Sequence, residues 1–318
     1  MIIKGSLVPN ITIFDAKGNI DVANTRWHMD WMFSKGVDGL FLTGSYGAGP
    51  LMSFEERVSI YQLAKDSASA FRGKFLLPHV GCIDTEHAVE LAKAAEKIGV
   101  DAIGAVPPFY YKHTDEAIIE YYKAIIAAVK IPVYAYNNPE TSRYTFNLST
   151  IQKLQDLGLA GMKDSPLSLG FITQVAYGAQ EAGRNFQFIA GTSTGWLPLC
   201  HMGVKAVIAG MNNWAPEIMT ELVRATFAGE WDRARKAYLV MMALSAKLHF
   251  TDSTIASHMA LYARGFNAGF PRKPMLLPRF DDPKYGEIRS QIEKAFGELD
   301  LPFETGTCNA LQAAAGKR

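Results

Sequence analysis

Cysteine is scarce in this chain, and no residue pattern suited to metal binding is visible. The 318 residues include three cysteines, Cys82, Cys200 and Cys308, which lie far apart and form no Cys-x-x-Cys pair. This number and spacing support neither a disulfide framework nor a zinc site, and they fit a reducing cytoplasmic setting. The seven histidines form neither His-x-x-x-His nor His-Glu-x-x-His. We therefore expect no bound metal.

An excess of charge of one sign is also missing, as are long apolar runs. Lys and Arg total 32 against 31 for Asp and Glu, and no basic stripe is interleaved with aromatic residues. Nucleic acid is therefore not an expected partner. No apolar run reaches the roughly 18 residues of a transmembrane helix, and the first residues, MIIKGS, are too weakly apolar for a signal peptide. We expect a soluble cytoplasmic protein with no membrane partner.

What the chain does have is a regular alternation of strand-like and helix-like segments. Apolar runs of strand length occur at 7–13, 39–43, 75–80, 102–106, 132–136, 159–163, 188–190 and 206–210. Strands that alternate with helices pair in parallel, because each return to the sheet needs a crossover. Eight such units predict an α/β fold, a (β/α)₈ TIM barrel, with a doubly wound sheet as the rival.

The region after the eighth unit is helical in pattern but has no further strands. We predict a barrel over residues 1–228, a C-terminal helical extension over 229–300 and a tail over 301–318. Hydrophobic residues make up 48% of the chain, which is enough to form a large core.

One lysine occupies the position that matters in such a barrel. Catalytic groups lie where strands end and βα loops begin. Lys163 ends the sixth predicted strand, whereas Lys74 and Lys205 precede strands and belong at the opposite face. Burial lowers the pKa of a lysine and favours the neutral amine that Schiff-base chemistry requires. The alternative is a lysine that extends from a strand end into solvent.

A tyrosine ends the preceding strand. Tyr136 runs directly into the turn sequence Asn137-Asn138-Pro139. A phenol beside an amine at the ends of neighbouring parallel strands is the arrangement of a class I aldolase site, where the phenol passes protons. A core-edge tyrosine with a hydrated hydroxyl is the alternative. The two residues together favour the catalytic interpretation.

The segment 44–50 (GSYGAGP) follows the second predicted strand and is rich in glycine. Its spacing is not Gly-x-Gly-x-x-Gly, and Pro50 interrupts the helix that should follow, so we expect no dinucleotide cofactor. Glycines allow backbone N–H groups to approach an anion, and Ser45 adds a hydroxyl, which suits a small carboxylate. An ordinary βα turn explains the segment equally well.

These residues resemble the dihydrodipicolinate synthase and N-acetylneuraminate lyase family of class I aldolases. The resemblance runs from about residue 4 to about residue 300, and its most specific segments are 44–45, 108–110, 136–139 and 161–165. It implies a (β/α)₈ barrel with a C-terminal helical extension, no cofactor, and a homo-oligomer, either a dimer or a tetramer built from dimers.

The resemblance also implies roles for particular residues. Lys163 would form the imine with a 2-keto acid, often pyruvate, and Tyr136 would be the strand-five tyrosine. Ser45 would replace the usual threonine of the hydroxyl relay, and Tyr110 would be donated across the dimer interface. The substrate carboxylate would bind on the loop that contains Gly44, Ser45 and Tyr46, with the backbone carbonyl of Ile208 facing the site.

Departures from the family pattern bear on the substrate. The synthases have an arginine where this chain has Thr141, and Arg143 is two residues further on. Tyr46 and Ala48 replace a threonine and a glutamate, and the Gly-Pro pair at 49–50 is similar to that of the 2-keto-3-deoxygluconate aldolases. We therefore expect a lyase for a 2-keto-3-deoxy sugar acid. The alternatives are a dehydratase or deaminase of the same family, dihydrodipicolinate synthase, and a non-catalytic barrel that binds a 2-keto acid.

Overall fold

Eight short parallel strands form one closed sheet in the computed structural model, which describes residues 2–308. The strands are β1 (Gly5–Val8), β2 (Gly39–Leu40), β3 (Phe75–Leu76), β4 (Ile103–Ala105), β5 (Val133–Asn137), β6 (Gly161–Asp164), β7 (Gln187–Ala190) and β8 (Ala206–Ile208). Their order is β3-β2-β1-β8-β7-β6-β5-β4. A parallel bridge between His79 and Gly104 joins the two ends of this order. The predicted barrel is confirmed, and a doubly wound sheet is excluded because the sheet closes.

Helices fill the connections between the strands. They are α1 (Val22–Ser34), α2 (Phe54–Ala68), α3 (Thr85–Ile98), α4 (Asp115–Ala128), α5 (Pro139–Ser142), α6 (Leu148–Asp156), α7 (Leu169–Glu181), α8 (Trp196–Cys200) and α9 (Pro216–Phe227). The extension holds α10 (Trp231–Leu248), α11 (Ser253–Ala263) and α12 (Lys284–Glu298). No helix within residues 2–308 is long and apolar enough to cross a membrane. Of the predicted tail, residues 309–318 lie outside the described part of the chain.

Local sequence accounts for where the helices begin. Ser53 and Glu56 form a capping box at the start of α2, in which each side chain bonds to the backbone N–H of the other. Asp84 caps α3 and Thr114 caps α4, and both capping residues have an extended backbone. The short helix α5 was not predicted; it begins at Pro139, which suits the first position of a helix.

Strand alternation divides the apolar residues between two cores. Tyr134 and Tyr136 point into the barrel, where they pack with Phe41, while Ala135 between them faces the surrounding helices. The interior cluster also includes Ile208. Because Tyr136 and Lys163 are paired across β5 and β6, the lysine belongs to this interior face.

A buried ion pair anchors the C-terminal extension to the barrel helices. Arg264, at the end of α11, is fully buried, and its guanidinium nitrogen lies 3.0 Å from a carboxylate oxygen of Glu217 in α9. Its guanidinium carbon is also 5.2 Å from the ring centroid of Trp31 in α1. The start of α11 consequently lies over the carboxyl end of the barrel, where Ser253 and Thr254 line a cavity.

Candidate active site

Lys163 and Tyr136 are in direct contact at the carboxyl end of the barrel. The side chain of Lys163 is 3% exposed, and its Nζ lies 3.6 Å from the ring centroid of Tyr136 and 4.2 Å from that of Phe41. The contact follows from strand register, since Tyr136 and Lys163 are paired residues of adjacent parallel strands. The ammonium therefore lies against two aromatic rings instead of water.

This environment favours the neutral amine. Burial lowers the pKa of Lys163 below its ordinary value of 10.5, and the neighbouring Tyr136 opposes that shift only in part. Among residues 2–308, no carboxylate forms an ion pair with Lys163. An amine that loses its proton more readily than an exposed lysine is the nucleophile of imine formation.

The carboxylate next in sequence is directed elsewhere. Asp164 accepts a hydrogen bond from Nδ2 of Asn137 at 2.6 Å and another from the backbone N–H of Leu167 at 2.8 Å. Asn137 and Asp164 are the register pair that follows Tyr136 and Lys163, so their side chains point to the other face of the sheet. The two strand ends are thus joined by a buried amide–carboxylate contact, and the carboxylate of Asp164 is not directed at Lys163.

The phenol of Tyr136 is suited to proton transfer. It accepts a hydrogen bond from Nδ2 of Asn138 at 3.0 Å. Burial raises the pKa of Tyr136, but Lys163 and the hydroxyls of Ser165 and Ser45 together lower it, and the net result is a pKa below the ordinary value of 10.0. A phenol of this kind gives up and regains its proton more easily than an isolated tyrosine.

A tight loop after β2 places one hydroxyl and one phenol at the cavity. The loop 44–50 begins after Thr43, whose φ is +48°, and a Cβ at Gly49 would lie 1.8 Å from the carbonyl oxygen of Thr43. Ser45 lines the cavity and is exposed. Gly44 lies buried beneath it, because a Cβ there would be 2.6 Å from the ring of Phe41.

Tyr46 crosses from this loop to the C-terminal extension. Its hydroxyl lies 2.2 Å from the point that a Cβ of Gly210 would occupy, just beyond β8. It also interacts with the hydroxyl of Ser253 at the start of α11, and burial raises the pKa of Tyr46. Tyr46 thus forms a wall of the cavity that depends on glycine at position 210.

The cavity has a volume of about 620 Å³ and a wall rich in hydroxyl groups. Within residues 2–308, Lys163 is the one lysine or arginine that lines it, while Glu140 and Asp252 contribute carboxylates and His249 an imidazole. Besides Ser45 and Ser165, the serines and threonines that line it are Thr141, Thr192, Ser193, Thr194, Ser245, Ser253, Thr254 and Ser257. No cluster of three metal-binding side chains is present in the described chain.

The structure brings together some of the residues that were predicted for the site. Lys163, Tyr136, Ser45, Tyr46 and Thr141 all line the cavity. Thr141 lies on α5 and donates a hydrogen bond to the backbone carbonyl of Asn138 at 3.1 Å.

Three other predicted residues lie outside the cavity of this chain. Gly44 is buried behind the loop, and Ile208 is a buried member of the barrel interior. Tyr110 is 75% exposed with a φ of +83°, and its ring packs edge-on against Tyr111. Arg143 ends α5 with a φ of +57°, is exposed and does not line the cavity.

Sequence reasoning missed Phe41 and the contribution of the extension. Alternation along the run 39–43 contained the signal for Phe41, because every second residue of a barrel strand faces inward. His249, Asp252 and Ser253 carried no such signal. They reach the cavity through the fold of α10 and α11, at positions about 90 residues beyond Lys163.

The profile of the Dihydrodipicolinate synthetase family matches residues 2–295. The chain belongs to this family. An uncharacterized DapA-like lyase of Halobacterium salinarum is 30% identical over 301 residues, which cover 94% of this chain and 95% of that protein. A 4-hydroxy-tetrahydrodipicolinate synthase of Desulfotalea psychrophila is 29% identical over 274 residues, or 85% and 90% of the two chains.

Solved structures of dihydrodipicolinate synthetase family members share the fold. The prophage protein YagE of E. coli K12, solved in complex with pyruvate, aligns with a TM-score of 0.85 at 23% identity and covers 93% of this chain and 99% of its own. The family membership and the lysine–tyrosine pair agree with each other. The protein is a lyase of the class I aldolase type that acts on a 2-keto acid through a Schiff base.

Proposed function

We propose that this member of the family cleaves or forms a C–C bond in a 2-keto-3-deoxy sugar acid, with pyruvate as the common fragment. The observation that carries the proposal is the position of Lys163, which is buried against Tyr136 in a cavity that many serine and threonine hydroxyls also line. Lys163 is the proposed nucleophile, and Tyr136 and Ser45 are the proposed proton-transfer groups.

Each step of the proposed cleavage uses these residues. The amine of Lys163 adds to the keto carbon, and loss of water from the resulting carbinolamine forms the iminium ion. The hydroxyl on C4 transfers its proton to the Tyr136–Ser45 relay, the C3–C4 bond breaks and the electron pair moves to the iminium nitrogen. An aldehyde leaves, and the enamine that remains is protonated at C3. Water then releases pyruvate and free Lys163.

The composition of the cavity supports a hydroxylated substrate. Two carboxylates, Glu140 and Asp252, lie on the wall, and among the described residues no arginine does. A second carboxylate on the substrate would therefore lack a bidentate partner. Thr141 stands where the related synthases have an arginine, and its hydroxyl suits a sugar hydroxyl better than a carboxylate. We expect poor condensation of pyruvate with aspartate semialdehyde.

Dihydrodipicolinate synthase is the second candidate, because relatives such as that of Desulfotalea psychrophila bear a synthase name. It would require Arg143 to replace the missing arginine, although this residue is exposed outside the cavity. A dehydratase or deaminase would use the same imine and release water or ammonia.

We further propose that the protein works as a cytoplasmic homo-oligomer, a dimer or a tetramer. Tyr110 and Tyr111 are both more than two-thirds exposed on the loop after β4. A large exposed aromatic pair of this kind is suited to an interface with a second copy. In such a dimer Tyr110 would reach the active site of the neighbouring subunit and extend the proton relay.

Trapping the imine tests the proposal directly. The protein is incubated with pyruvate or with each of a panel of 2-keto acids, borohydride is added, and mass spectrometry locates the adduct. We expect an adduct at Lys163, with turnover of a hydroxylated 2-keto-3-deoxy acid and little product from aspartate semialdehyde. Efficient synthase kinetics would transfer the assignment to the second candidate. Trapping without turnover of either substrate would favour the dehydratase or deaminase, and the absence of any adduct would contradict the proposed function.

A further inference from the structure

Behind the active-site loop lies a buried arginine that has no acidic partner among residues 2–308. Arg57, in the first turns of α2, is 4% exposed. Its guanidinium donates to the backbone carbonyls of His79 and Gly81 and to the thiol of Cys82. Within the described residues none of its hydrogen-bond partners is a carboxylate. A buried charge without a counter-ion is costly, which indicates a role other than ion pairing.

The carbonyl oxygen of His79 is a shared acceptor. Besides Arg57, it receives the hydroxyl of Tyr61 at 2.8 Å and that of Thr43 at 3.2 Å. Arg57 and Tyr61 belong to α2, His79 follows β3, and Thr43 follows β2. One backbone oxygen therefore ties a helix to the ends of two neighbouring strands, and all four residues are buried.

Thr43, whose hydroxyl donates to this carbonyl, is the residue immediately before the loop 44–50. Thr43 has a φ of +48°, a left-handed conformation that is strained for a β-branched residue and persists only where the surrounding contacts hold it. The loop then folds back on it: the N–H of Gly49 donates to the carbonyl of Gly44 at 3.2 Å. Ser45 and Tyr46, which line the cavity, follow Thr43 within three residues on this same loop.

The ring of His79 lies close to the two aromatic rings that contact Lys163. Its Nε2 accepts the backbone N–H of Val106 at 3.1 Å, so that nitrogen carries no proton. The ring lies 5.9 Å from that of Phe41 and 6.1 Å from that of Tyr136, measured between centroids. These are the two rings that hold the Nζ of Lys163. The residues that share the carbonyl of His79 thus lie next to both the loop 44–50 and the two aromatic rings that contact Lys163.

We propose that Arg57 is a positioning residue of the Schiff-base reaction, which acts through the carbonyl of His79 and the backbone of Thr43 to hold the loop 44–50 in the conformation that receives the substrate carboxylate. The inference rests on the proposed function. A planar guanidinium reaches the carbonyls of His79 and Gly81 and the thiol of Cys82 at once, whereas the single ammonium of a lysine does not. A lysine at position 57 would keep the positive charge, but we expect that it would not hold the loop 44–50 in place.

Imine trapping at graded pyruvate concentrations tests this role. We expect Arg57→Lys to raise the pyruvate concentration for half-maximal trapping on the order of tenfold or more, since charged hydrogen bonds are lost. The maximal adduct at saturation should stay close to that of the unmodified protein, because Lys163 and Tyr136 are unchanged. Arg72→Lys, an exposed substitution of the same kind just after α2, is the matched control and should leave the half-maximal concentration unaltered.

A purely structural role predicts a different result. If folded Arg57→Lys is less heat-stable but traps pyruvate with the half-maximal concentration of the unmodified protein, the proposal is overturned. If Arg57→Lys does not fold, Tyr61→Phe decides, since it removes one donor to the carbonyl of His79 with little change in shape. A smaller rise in the half-maximal concentration supports the proposal, and no rise overturns it. Failure of the unmodified protein to trap any 2-keto acid would instead contradict the proposed function.

Discussion

Two lysines lie at opposite ends of the same barrel and differ in what surrounds them. Lys74 directly precedes β3 at the amino end, where its Nζ donates to the carbonyl of Val37 at 2.7 Å. Burial lowers the pKa of Lys74, and the charge of Asp38 opposes the shift. Lys163 at the carboxyl end is more deeply buried and faces a phenol and an open cavity.

The difference explains why Lys163, and not Lys74, is the candidate nucleophile. At the amino end, the ammonium of Lys74 has a carbonyl acceptor and a nearby negative charge, and both stabilise its protonated form. At the carboxyl end, Lys163 forms no ion pair with a carboxylate of residues 2–308, and its deprotonation loses contacts with two aromatic rings and a hydrogen bond with Tyr136. The barrel therefore holds a structural lysine at one end and a candidate nucleophile at the other, and substitutions can test this contrast.

The largest effect is expected from removing the nucleophile. Lys163→Ala should abolish pyruvate trapping by borohydride, because no other lysine or arginine of the described chain lines the cavity. Lys74→Ala is the matched control at the opposite end and should retain the adduct. Intact-mass measurement reads both outcomes. An adduct that persists at another lysine of Lys163→Ala would refute the assignment.

The second effect concerns the neighbouring phenol. Tyr136→Phe should still form the imine slowly but should lose turnover by roughly 10²–10⁴-fold, the usual contribution of a positioned acid–base group. Tyr134→Phe is its control, since Tyr134 faces the same interior and donates to Gln187 at 2.9 Å. Steady-state rates with a 2-keto-3-deoxy acid distinguish the two variants. Normal turnover by Tyr136→Phe would end the proton-transfer hypothesis.

A moderate effect is expected where the cavity wall is crowded. In Gly210→Ala the new methyl group would collide with the hydroxyl of Tyr46, so we expect a loss of stability of about 1–3 kcal/mol and a displaced Tyr46. In Gly170→Ala, near the start of α7, the methyl meets no atom within 4 Å, and stability should rise slightly or stay unchanged. Urea denaturation compares them. Equal midpoints for the two variants would mean that Tyr46 moves aside freely.

The smallest expected effect is a shift in the pH dependence of the rate of imine formation. Because burial lowers the pKa of Lys163, single-turnover imine formation should rise with pH and reach its midpoint below 10.5. Tyr136 acts to raise that pKa, so the midpoint should move to still lower pH in Tyr136→Phe. Trapping rates measured across the pH range give both midpoints. A midpoint at or above 10.5 in the unmodified protein would show that desolvation does not control the amine.

Local pattern accounts for much of the fold that was predicted. The alternation of apolar runs with helical segments is a property of neighbouring residues, so eight strands and the long helices were visible in the sequence. Strand lengths were overestimated. The run 39–43, for example, contains only Gly39–Leu40 as strand, because Thr43 turns into the left-handed region to begin the loop.

Some residues of the candidate site were likewise predictable from the sequence, and others were not. Lys163 and Tyr136 were found from sequence because a strand end followed by polar turn residues marks the carboxyl face of a barrel. Arg57 and His79 were missed, since a buried arginine and a strand-end histidine look ordinary until their shared contacts are known. Tyr46 was found, but its contacts with Gly210 and Ser253 were not.

The strand–helix alternation, and a lysine and a tyrosine close to the ends of two successive strands, are legible in the amino-acid sequence alone. Side-chain periodicity and turn chemistry act over a few residues, which is why they are legible in one chain. The tertiary structure was needed to show three contacts: Lys163 lies against Tyr136 and forms no ion pair with a carboxylate of residues 2–308, Tyr46 contacts Ser253 of α11, and the buried Arg57 has no acidic partner in that same part of the chain. These contacts join residues that are distant in sequence, and barrel closure together with the packing of the extension brings them within reach.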